Sequence, residues 1–425
     1  MKVSLAYGDG RLPLTLPEER TTVVTPTFRP ALPDPERALR NALRSPIGPS
    51  PLRELAHKGQ RVAISVCDVT RAQPRRLMVR AILDELEGLI RPEDVTILIA
   101  TGTHRANTDD EIRGMLGGEI TSACRVVNHV ARDEGSLIDL GVVGDGVPVK
   151  LNRDWVEADL RITTGFVEPH FFAGFSGGPK MVAPGLAGIE TVLTLHDAAR
   201  IGHPDATWGV IEGNPVHDDV RAIARVAPPA FSMDVVLNSE QKITGVYAGN
   251  LFAMHAEACK QAKVDSMQPI REPFDVVVTS NSGYPLDQNL YQAVKGMSAA
   301  ARVVKRGGLI VCAAECRDGI PGHGSYAAIL ASQPGPEALL EMIESPGYSE
   351  PDQWQVQIQA KIQMQARVLV KAGELTDAEL AAAHFEAVED IEQAVAAAGP
   401  DASICVLPEG PQTIPYISSA NQIRL

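Results

Sequence analysis

The chain has 425 residues, of which 44% are hydrophobic, and a formal net charge of −14. This length is typical of two or three domains, and the acidic balance disfavours nucleic acids and anionic membrane surfaces as partners. No stretch approaches the roughly 20 apolar residues of a membrane span, and the N-terminus lacks the apolar core of a signal peptide, so we expect a cytoplasmic location.

The first half of the chain alternates strand and helix patterns. Residues 1–60 are rich in proline and predict an extended segment with short edge strands. Continuous apolar runs at 61–67, 95–100 and 159–164 predict strands that are covered on both faces, and a helical periodicity lies at 74–89. Strand, helix and strand in this order indicate βαβ units and a parallel sheet.

The second half repeats this alternation. Strand patterns lie at 273–279, 308–314 and 402–407, and a long helix is predicted over 286–305, ending at Gly307-Gly308. Residues 263–273 form the predicted linker. The sequence therefore predicts an α/β protein with two domains, 1–268 and 269–425, largely parallel sheets and an active-site cleft between the domains.

A glycine-rich run at 165–188 directly follows the third predicted strand. It contains six glycines together with His170 and Lys180, and His196 follows on a predicted helix. Glycine lets a backbone approach an anion closely, and a lysine that leaves such a loop can meet a phosphate or act as a nucleophile. The combination favours cofactor chemistry over simple packing.

Polar residues also follow the first two strands of this half. Asp68, Thr70 and Arg71 come after the first strand, and His104 comes after the second. Ligands of open α/β sheets bind outside the carboxyl ends of strands, so three consecutive loops are predicted to converge on one site. The alternative is structural: Asp68 and Arg71 form a loop ion pair, and His104 lies in a plain turn.

A second group of candidates lies in the C-terminal half. Gln292 and Lys295 are three residues apart and share a face of the predicted helix, where they could bind a carboxylate, while Asp287 is predicted to cap that helix. Trp354 either covers a ligand or fills the core. The alternative for the Gln292 and Lys295 pair is a solvated helix face.

Metal binding by the protein alone is less favoured. His203 and His217 have carboxylate neighbours, but polar loops often have this composition. Cys312, Cys316 and His323 have the wrong spacing for a usual zinc site. The six cysteines contain no C-x-x-C pair, so reduced, isolated thiols are expected.

Taken together, these residues resemble the nickel-dependent lactate racemase family. The match runs in order along nearly the whole chain, and the long glycine-rich motif is specific to that family. The residues that carry it are Asp68-Val-Thr-Arg71, Gly102-Thr-His104-Arg105, Glu168 to Lys180, His196, Gln292, Lys295 and the 352–355 segment.

The resemblance implies an isomerase that racemises or epimerises 2-hydroxy acids with a nickel-pincer nucleotide. This cofactor is a pyridinium-3,5-bisthiocarboxylic acid mononucleotide whose two sulfur-containing arms hold nickel, and separate maturation proteins make it. By resemblance, Lys180 carries it covalently and His196 is the protein ligand to nickel. Asp68, Thr70 and the backbone of Ser176, Gly177 and Gly178 would hold the nucleotide.

The resemblance also assigns the substrate contacts. His104 and His170 match the acid and base on opposite faces of the substrate. Arg71, Gln292 and Lys295 match residues that bind and polarise it, and Trp354 lies in a further matching segment. The N-terminal domain would then bind the cofactor, and the C-terminal domain would close over the substrate.

The chemistry agrees with these roles. A racemase needs a proton acceptor on each face, and imidazole suits that task near neutrality. Removing the Cα hydrogen as hydride avoids a dianionic carbanion, so the cofactor performs the hard step. Imidazole and sulfur are acceptable nickel donors, and Arg71 with Lys295 would clamp the carboxylate.

The substrate and the class of protein leave alternatives. Ala72 stands where the lactate-specific pattern has proline, so malate or a larger 2-hydroxy acid is an alternative to lactate, and Arg105 could meet a second carboxylate. A nicotinamide-dependent 2-hydroxy acid dehydrogenase lacks support from any G-x-G-x-x-G motif with a downstream acidic residue. A non-catalytic nucleotide- or anion-binding protein would have little use for two histidines and a lysine. A homo-oligomer is compatible with the sequence.

Overall fold

The computed structural model describes residues 1–48, 50–322 and 324–418. The chain forms two compact units that alternate along the sequence. We call Phe28–His196 with Pro204–Asp265 the central unit, and Met1–Thr27 with Asp197–His203 and the chain from Ser266 onward the terminal unit.

The strands are mostly short and apolar, as expected for strands that are buried on both faces. In chain order they are β1 (Lys2–Tyr7), β2 (Gly10–Thr15), β3 (Thr21–Val23), β4 (Val62–Cys67), β5 (Val95–Ala100), β6 (Arg125–Asn128), β7 (Leu137–Val143), β8 (Val147–Asn152), β9 (Leu160–Phe166), β10 (Pro169–His170), β11 (Gly174–Phe175), β12 (Phe231–Leu237), β13 (Ile243–Gly249), β14 (Met267–Ile270), β15 (Phe274–Ser280), β16 (Val304–Ala313), β17 (Arg367–Lys371), β18 (Glu386–Ala387), β19 (Ile404–Leu407) and β20 (Ile414–Ile417).

Many helices begin at a side chain that accepts a backbone N–H of the first turn, as Thr108 and Asn214 do. The α-helices are α1 (Pro35–Arg44), α2 (Leu52–Leu55), α3 (Arg75–Leu86), α4 (Asp109–Leu116), α5 (Gly118–Ala123), α6 (Arg153–Val156), α7 (Ile189–Leu195), α8 (Ala198–Gly202), α9 (Pro215–Val226), α10 (Leu251–Ser266), α11 (Leu290–Ala301), α12 (Tyr326–Ala331), α13 (Pro336–Ile343), α14 (Gln353–Gln365), α15 (Asp377–Ala382) and α16 (Ile391–Ala397). Within the described ranges, every helix is too short or too polar to span a bilayer.

The central unit is built on a sheet with the strand order β13-β12-β9-β4-β5-β6. All neighbours are parallel except β12 and β13, which are antiparallel. Strand β4 is buried along its whole length, and apolar clusters cover both faces of the sheet. Polar side chains therefore collect where β4, β5 and β9 end, at one carboxyl edge.

The terminal unit has a second sheet, with the order β18-β17-β16-β15-β19-β3. Every neighbouring pair in it is parallel. Its core is formed by β-branched residues of the central strands, including Val276, Val311 and Ile404. The hairpin of β1 and β2 and the parallel pair of β14 and β20 also belong to this unit.

The predicted α/β class with largely parallel sheets is confirmed, and the predicted strands agree closely with β4, β5, β9, β15 and β19. One helix was predicted too long. Helix α11 ends at Ala301, because β16 already begins at Val304 and contains Gly307-Gly308 within it. The predicted linker at 263–273 instead contains the end of α10 and strand β14.

The two units divide the chain differently from the predicted domains at 1–268 and 269–425. Strand β3 pairs in parallel with β19, so the first 27 residues belong to the terminal unit. The segment Asp197–His203 belongs there as well, because Gln357 Nε2 donates to Ala198 O at 2.9 Å and Lys361 Nζ donates to Gly202 O at 3.1 Å. The predicted boundary near 268 lies within three residues of the last change of unit at 265.

Candidate active site

Asp68 and His104 form a hydrogen-bonded pair at the carboxyl edge of the central sheet. Asp68 is buried at the end of β4, and its Oδ2 lies 2.6 Å from His104 Nδ1. The same carboxylate accepts hydrogen bonds from Thr70, at 2.6 Å from the hydroxyl and 3.2 Å from the backbone N–H. Thr70 and Asp68 thus shape a tight loop that holds His104.

The charge of Asp68 fixes the tautomer of His104. Burial raises the pKa of Asp68, but the hydrogen bond and charge of His104, followed by Arg71 and Thr70, outweigh this effect and lower the pKa to about 2. A carboxylate accepts the Nδ1 proton, which leaves the lone pair of His104 on Nε2. The His104 side chain is 44% exposed, so this nitrogen can reach a ligand.

Two buried side chains that the sequence did not single out hold the loop after β4. The guanidinium of Arg75 donates to the carbonyls of Cys67 at 2.7 Å and Arg71 at 2.6 Å, and also to that of Asp68. Gln73 accepts the Cys67 N–H at 2.7 Å and donates to Thr164 Oγ1 on β9 at 2.8 Å. The hydrogen bond from Arg75 to the Arg71 carbonyl therefore fixes the backbone at Arg71.

Arg105 follows His104 but is already paired. Its guanidinium binds both carboxylate oxygens of Glu111 at 2.6 and 2.9 Å. Glu111 also completes the capping box with Thr108 at the start of α4. Arg105 thus helps to anchor a helix, which argues against its expected contact with a second substrate carboxylate.

His170 and Lys180 meet at the glycine-rich run. His170 Nδ1 lies 3.3 Å from Ala173 N, and Lys180 Nζ lies 3.3 Å from His170 Nε2. An ammonium has donors only, so in this contact His170 Nε2 accepts from Lys180. Phe172 packs edge-on against the rings of His170 and His196, with centroids 4.5 and 5.1 Å apart, and lies 5.4 Å from Lys180 Nζ.

His196 lies buried at the carboxyl end of α7. Its Nδ1 donates to Val192 O at 2.7 Å, so the neutral ring carries its lone pair on Nε2. Burial lowers the pKa of His196 to about 4, the charge of Lys180 acts in the same direction, and the hydrogen bond to Val192 opposes the shift. A neutral imidazole with a fixed tautomer is the form that binds a metal ion.

The described part of the chain places no group of three or more His, Cys, Asp or Glu side chains to hold a metal ion. The alternative metal sites at His203 and His217 are therefore not formed, and His323 of the other alternative lies outside the described residues. A metal bound at His196 would need further donors from a cofactor. Lys180 and His196, gathered around Phe172, fit a group that brings its own sulfur donors.

Several polar groups of the Ser176–Gly178 turn already form hydrogen bonds within the protein. The Ser176 hydroxyl donates to Phe166 O at 2.9 Å and accepts the Glu168 N–H at 3.0 Å. The Gly178 N–H donates to Asp234 Oδ2 at 2.6 Å. Nucleotide binding by these three residues stays a prediction, which would have to use their other backbone groups.

The remaining candidates belong to the terminal unit. Lys295 Nζ donates to Gln292 Oε1 at 2.6 Å on α11, as their spacing predicts. Trp354 is buried, and its Nε1 donates to the Tyr291 hydroxyl at 3.1 Å, a partner that the sequence did not indicate. Asp287 does not cap α11.

The cap of α11 is Asn289, whose side chain accepts the Gln292 N–H at 3.0 Å. Asp287 Oδ2 instead accepts the N–H groups of Gly8 at 2.7 Å and Glu315 at 3.1 Å. Gly8 lies far away in the sequence, so no local pattern could have indicated this contact.

Comparison with known proteins gives two family matches in succession along the chain. Residues 7–209 match the lactate racemase N-terminal domain family, and residues 270–414 match the lactate racemase C-terminal domain family. A lactate racemase of Thermoanaerobacterium thermosaccharolyticum is 36% identical over 92% of this chain and 90% of its own length. One from Lactiplantibacillus plantarum is 37% identical over 88% and 89%.

Solved structures of similar proteins support the same family. The lactate racemase apoprotein from T. thermosaccharolyticum superposes with a TM-score of 0.91 at 34% identity, covering 98% of this chain and 100% of the other. A Thermotoga maritima protein at 18% identity, with a TM-score of 0.71 over 90% and 98%, shares the fold. The fold and its relatives define an isomerase, a racemase of 2-hydroxy acids. The chain belongs to the lactate racemase family, as the sequence motifs predict.

Proposed function

We propose that the chain interconverts the enantiomers of a 2-hydroxy acid by reversible hydride transfer from the substrate Cα, with His104 and His170 as the acid and base. The observation that supports this proposal best is the placement of the two imidazoles. Asp68 accepts the Nδ1 proton of His104 and leaves a lone pair on its Nε2, and His170 Nε2 lies 3.3 Å from Lys180 Nζ. Each ring can exchange a proton with a bound hydroxy acid.

The loops that carry these rings are joined by backbone hydrogen bonds. Gly102 N donates to Gly185 O at 3.0 Å, and Gly185 N donates to Lys180 O at 3.2 Å. The β5 loop with His104 is therefore tied to the run with Lys180. This continuity supports a shared site for His104, His170 and Lys180 at the carboxyl edge of the central sheet.

We propose that Lys180 holds the nickel-pincer nucleotide covalently and that His196 Nε2 ligates its nickel. When bound, this pyridinium nucleotide supplies a reversible hydride acceptor whose sulfur donors share the metal with the protein. His196 fits because its proton is held at Val192 O. Asp68 and Thr70 remain proposed nucleotide contacts through the atoms that their mutual hydrogen bond leaves available.

The chain's own side chains would bind and orient the substrate. Arg71, placed by Arg75, is proposed to bind the carboxylate with a bidentate guanidinium. Gln292 and Lys295 are proposed to polarise it, and their 2.6 Å contact prearranges the pair. His104 takes the hydroxyl proton of one enantiomer and His170 returns a proton to the same oxygen, and the roles exchange in reverse. Trp354 is proposed to exclude water.

The test is mass spectrometry of protein that is produced together with the cofactor-maturation proteins. A sulfur-rich nucleotide adduct on the Lys180 peptide, with bound nickel, is expected, and racemisation should follow it. Lys180→Arg, which keeps the charge, should lose adduct, nickel and activity together. An unmodified Lys180, in a preparation in which a known racemase is loaded, would contradict the proposal, and nicotinamide-dependent turnover without nickel would favour a dehydrogenase.

Lactate is the first substrate to test, because the relatives at 36% and 37% identity are named lactate racemases. Malate and longer 2-hydroxy acids should be compared, since Ala72 next to Arg71 offers a smaller side chain than proline. The oligomeric state can be measured on the same samples.

A further inference from the structure

We propose that Asp234 and His255 are positioning residues, which fix the turn at Ser176–Gly178 and thereby place Lys180. Asp234 lies on β12 and His255 on α10, and both are buried in the central unit. The importance of the Lys180 position rests on the proposed function. The contacts of Asp234 and His255 with the turn are independent of it.

The two side chains hold the two peptide groups on either side of Gly177. His255 Nε2 donates to Ser176 O at 2.9 Å, which belongs to the peptide before Gly177. The Gly178 N–H, which belongs to the peptide after it, donates to Asp234 Oδ2 at 2.6 Å. The intervening turn is left-handed, with φ of 70° at Gly177 and 50° at Gly178. The backbone is thus fixed at both ends of an unusual conformation.

The same two side chains explain three glycines of the run. A Cβ at Gly165 would lie 2.8 Å from Asp234 Oδ1, one at Gly177 would lie 2.7 Å from Asp234 Oδ2, and one at Gly178 would lie 2.4 Å from His255 Cγ. None of these separations is sterically tolerable. These glycines therefore make room for the buried supports, in addition to any approach of an anion from outside.

Lys180 is attached directly to the fixed turn. Its N–H donates to Gly177 O at 3.1 Å, within the 3-10 turn Gly178–Met181. A shift of the Gly177 peptides would move the Lys180 backbone, and with it the 3.3 Å contact between Lys180 Nζ and His170 Nε2. Lys180 lies only two residues after Gly178, the residue that Asp234 binds.

The ionisation of the supports is consistent with this role. Burial lowers the pKa of His255 to about 4, so at neutral pH its ring is uncharged and has the Nε2–H that Ser176 O requires. Burial raises the pKa of Asp234 to about 7, against the backbone hydrogen bonds that lower it. The carboxyl group is fully buried, and its backbone hydrogen bonds compensate part of the cost of that burial.

The experiment measures the reactivity of Lys180 in the apoprotein, without cofactor. A short pulse of an amine-acylating reagent is followed by quantification of the Lys180 peptide relative to the exposed Lys58 of the same unit, with the melting temperature of each variant as a second readout. Asp234→Ala and His255→Ala should each raise the Lys180/Lys58 labelling ratio at least about fivefold, because the turn loses a fixed end.

Conservative variants and a matched control make the result specific. Asp234→Asn retains an acceptor for the Gly178 N–H, and His255→Gln retains a donor, so both should stay close to the wild-type ratio. Asp265→Ala removes another buried carboxylate of the central unit, which binds Arg29 at 2.8 Å. It should lower the melting temperature without changing the ratio.

An unchanged ratio in folded Asp234→Ala and His255→Ala would overturn the proposal, as would an equal rise in Asp265→Ala, which would indicate general loosening. If Asp234→Ala does not fold, His255→Ala and its Gln counterpart decide the matter. Absence of a nucleotide on wild-type Lys180 would contradict the proposed function and leave this labelling result intact.

Discussion

The carboxyl edges of the two six-stranded sheets differ sharply in what their polar groups do. At the edge of the central sheet, Asp68 orients His104, whose side chain stays 44% exposed. At the edge of the terminal sheet, the buried Asp287 accepts the N–H groups of Gly8 and Glu315. The Ser280 hydroxyl there donates to Pro408 O at 2.6 Å, which closes that edge further.

The difference shows that parallel topology offers a place for a site but does not create one. Both sheets end their strands at an edge of the kind that binds ligands in α/β proteins. In the terminal unit the tip of the β1–β2 hairpin donates the Gly8 N–H to Asp287 in the loop after β15. In the central unit the buried Asp68 holds His104 by its Nδ1, and that side chain stays partly exposed.

The largest expected effect tests the central edge directly. His104→Ala and His170→Ala should each lower kcat/KM by about 100- to 10,000-fold, since each removes a proposed proton-transfer group. Racemisation followed by circular dichroism measures this for both enantiomers. His57→Ala changes an exposed histidine of the same unit and should have no effect. Retained activity in both single variants would remove the assigned acid and base.

Asp68→Asn should lower kcat/KM by about 100-fold, because an amide does not stabilise the imidazolium that forms on His104. Stability gives a second readout. The pKa of Asp68 is about 2, below its ordinary value, so its carboxylate stabilises the fold above about pH 4, and this contribution is lost as the pH falls towards 2. The free energies of unfolding of wild type and variant should converge over that range. Parallel curves would contradict the pairing.

A substitution at the carboxyl edge of the terminal sheet should change the stability of the protein and leave its activity nearly unchanged. Asp287→Ala leaves two buried N–H groups without an acceptor and should lower the free energy of unfolding by about 2 kcal/mol. Denaturant titration measures this change, and kcat/KM per folded protein should stay within about threefold of wild type. A large loss of activity at unchanged stability would make the two edges functionally alike.

His196 should make the apoprotein sensitive to acid. Its pKa of about 4 is below the ordinary value of 6.5, so the neutral ring favours the folded state above about pH 6.5 and this stability is lost as the pH falls towards 4. The linkage amounts to ~2 kcal/mol between pH 7 and pH 5. His196→Gln should flatten the profile correspondingly. An identical pH profile in the variant would indicate that His196 is not buried in the neutral form.

The smallest effect is expected at Arg105. Its pair with Glu111 is largely exposed, so Arg105→Ala should cost less than about 1 kcal/mol. The ratio of kcat/KM for malate and lactate should not change. A selective loss of malate turnover would restore Arg105 as a contact for a second carboxylate.

Local patterns in the sequence were sufficient for the elements and loops of the central edge. The apolar runs of β4, β5 and β9 define the strands, and Asp68, His104 and His170 lie in the segments that follow them. The supports were not predictable, because Asp234 and His255 act across the sheet on residues that are distant in sequence. Asp234 did leave a signal, as an acidic residue within the buried strand Phe231–Leu237.

Long-range pairing explains the other differences. Strand β3 joins β19 although the chain separates them by most of its length, and no periodicity in either segment encodes that choice. Helix α11 ends early because β16 begins at Val304. Strand β16 contains Gly307-Gly308, a pair that also occurs at the ends of helices.

The pairing of β3 with β19 also sets an order for biosynthesis. The ribosome releases Thr21–Val23 long before their partners Ile404–Val406. The central unit, complete at Asp265, can fold while the rest is still being made. Strand β3 must therefore wait, unpaired, for β19, so the nascent chain can form the loops at the edge of the central sheet before its second sheet is complete.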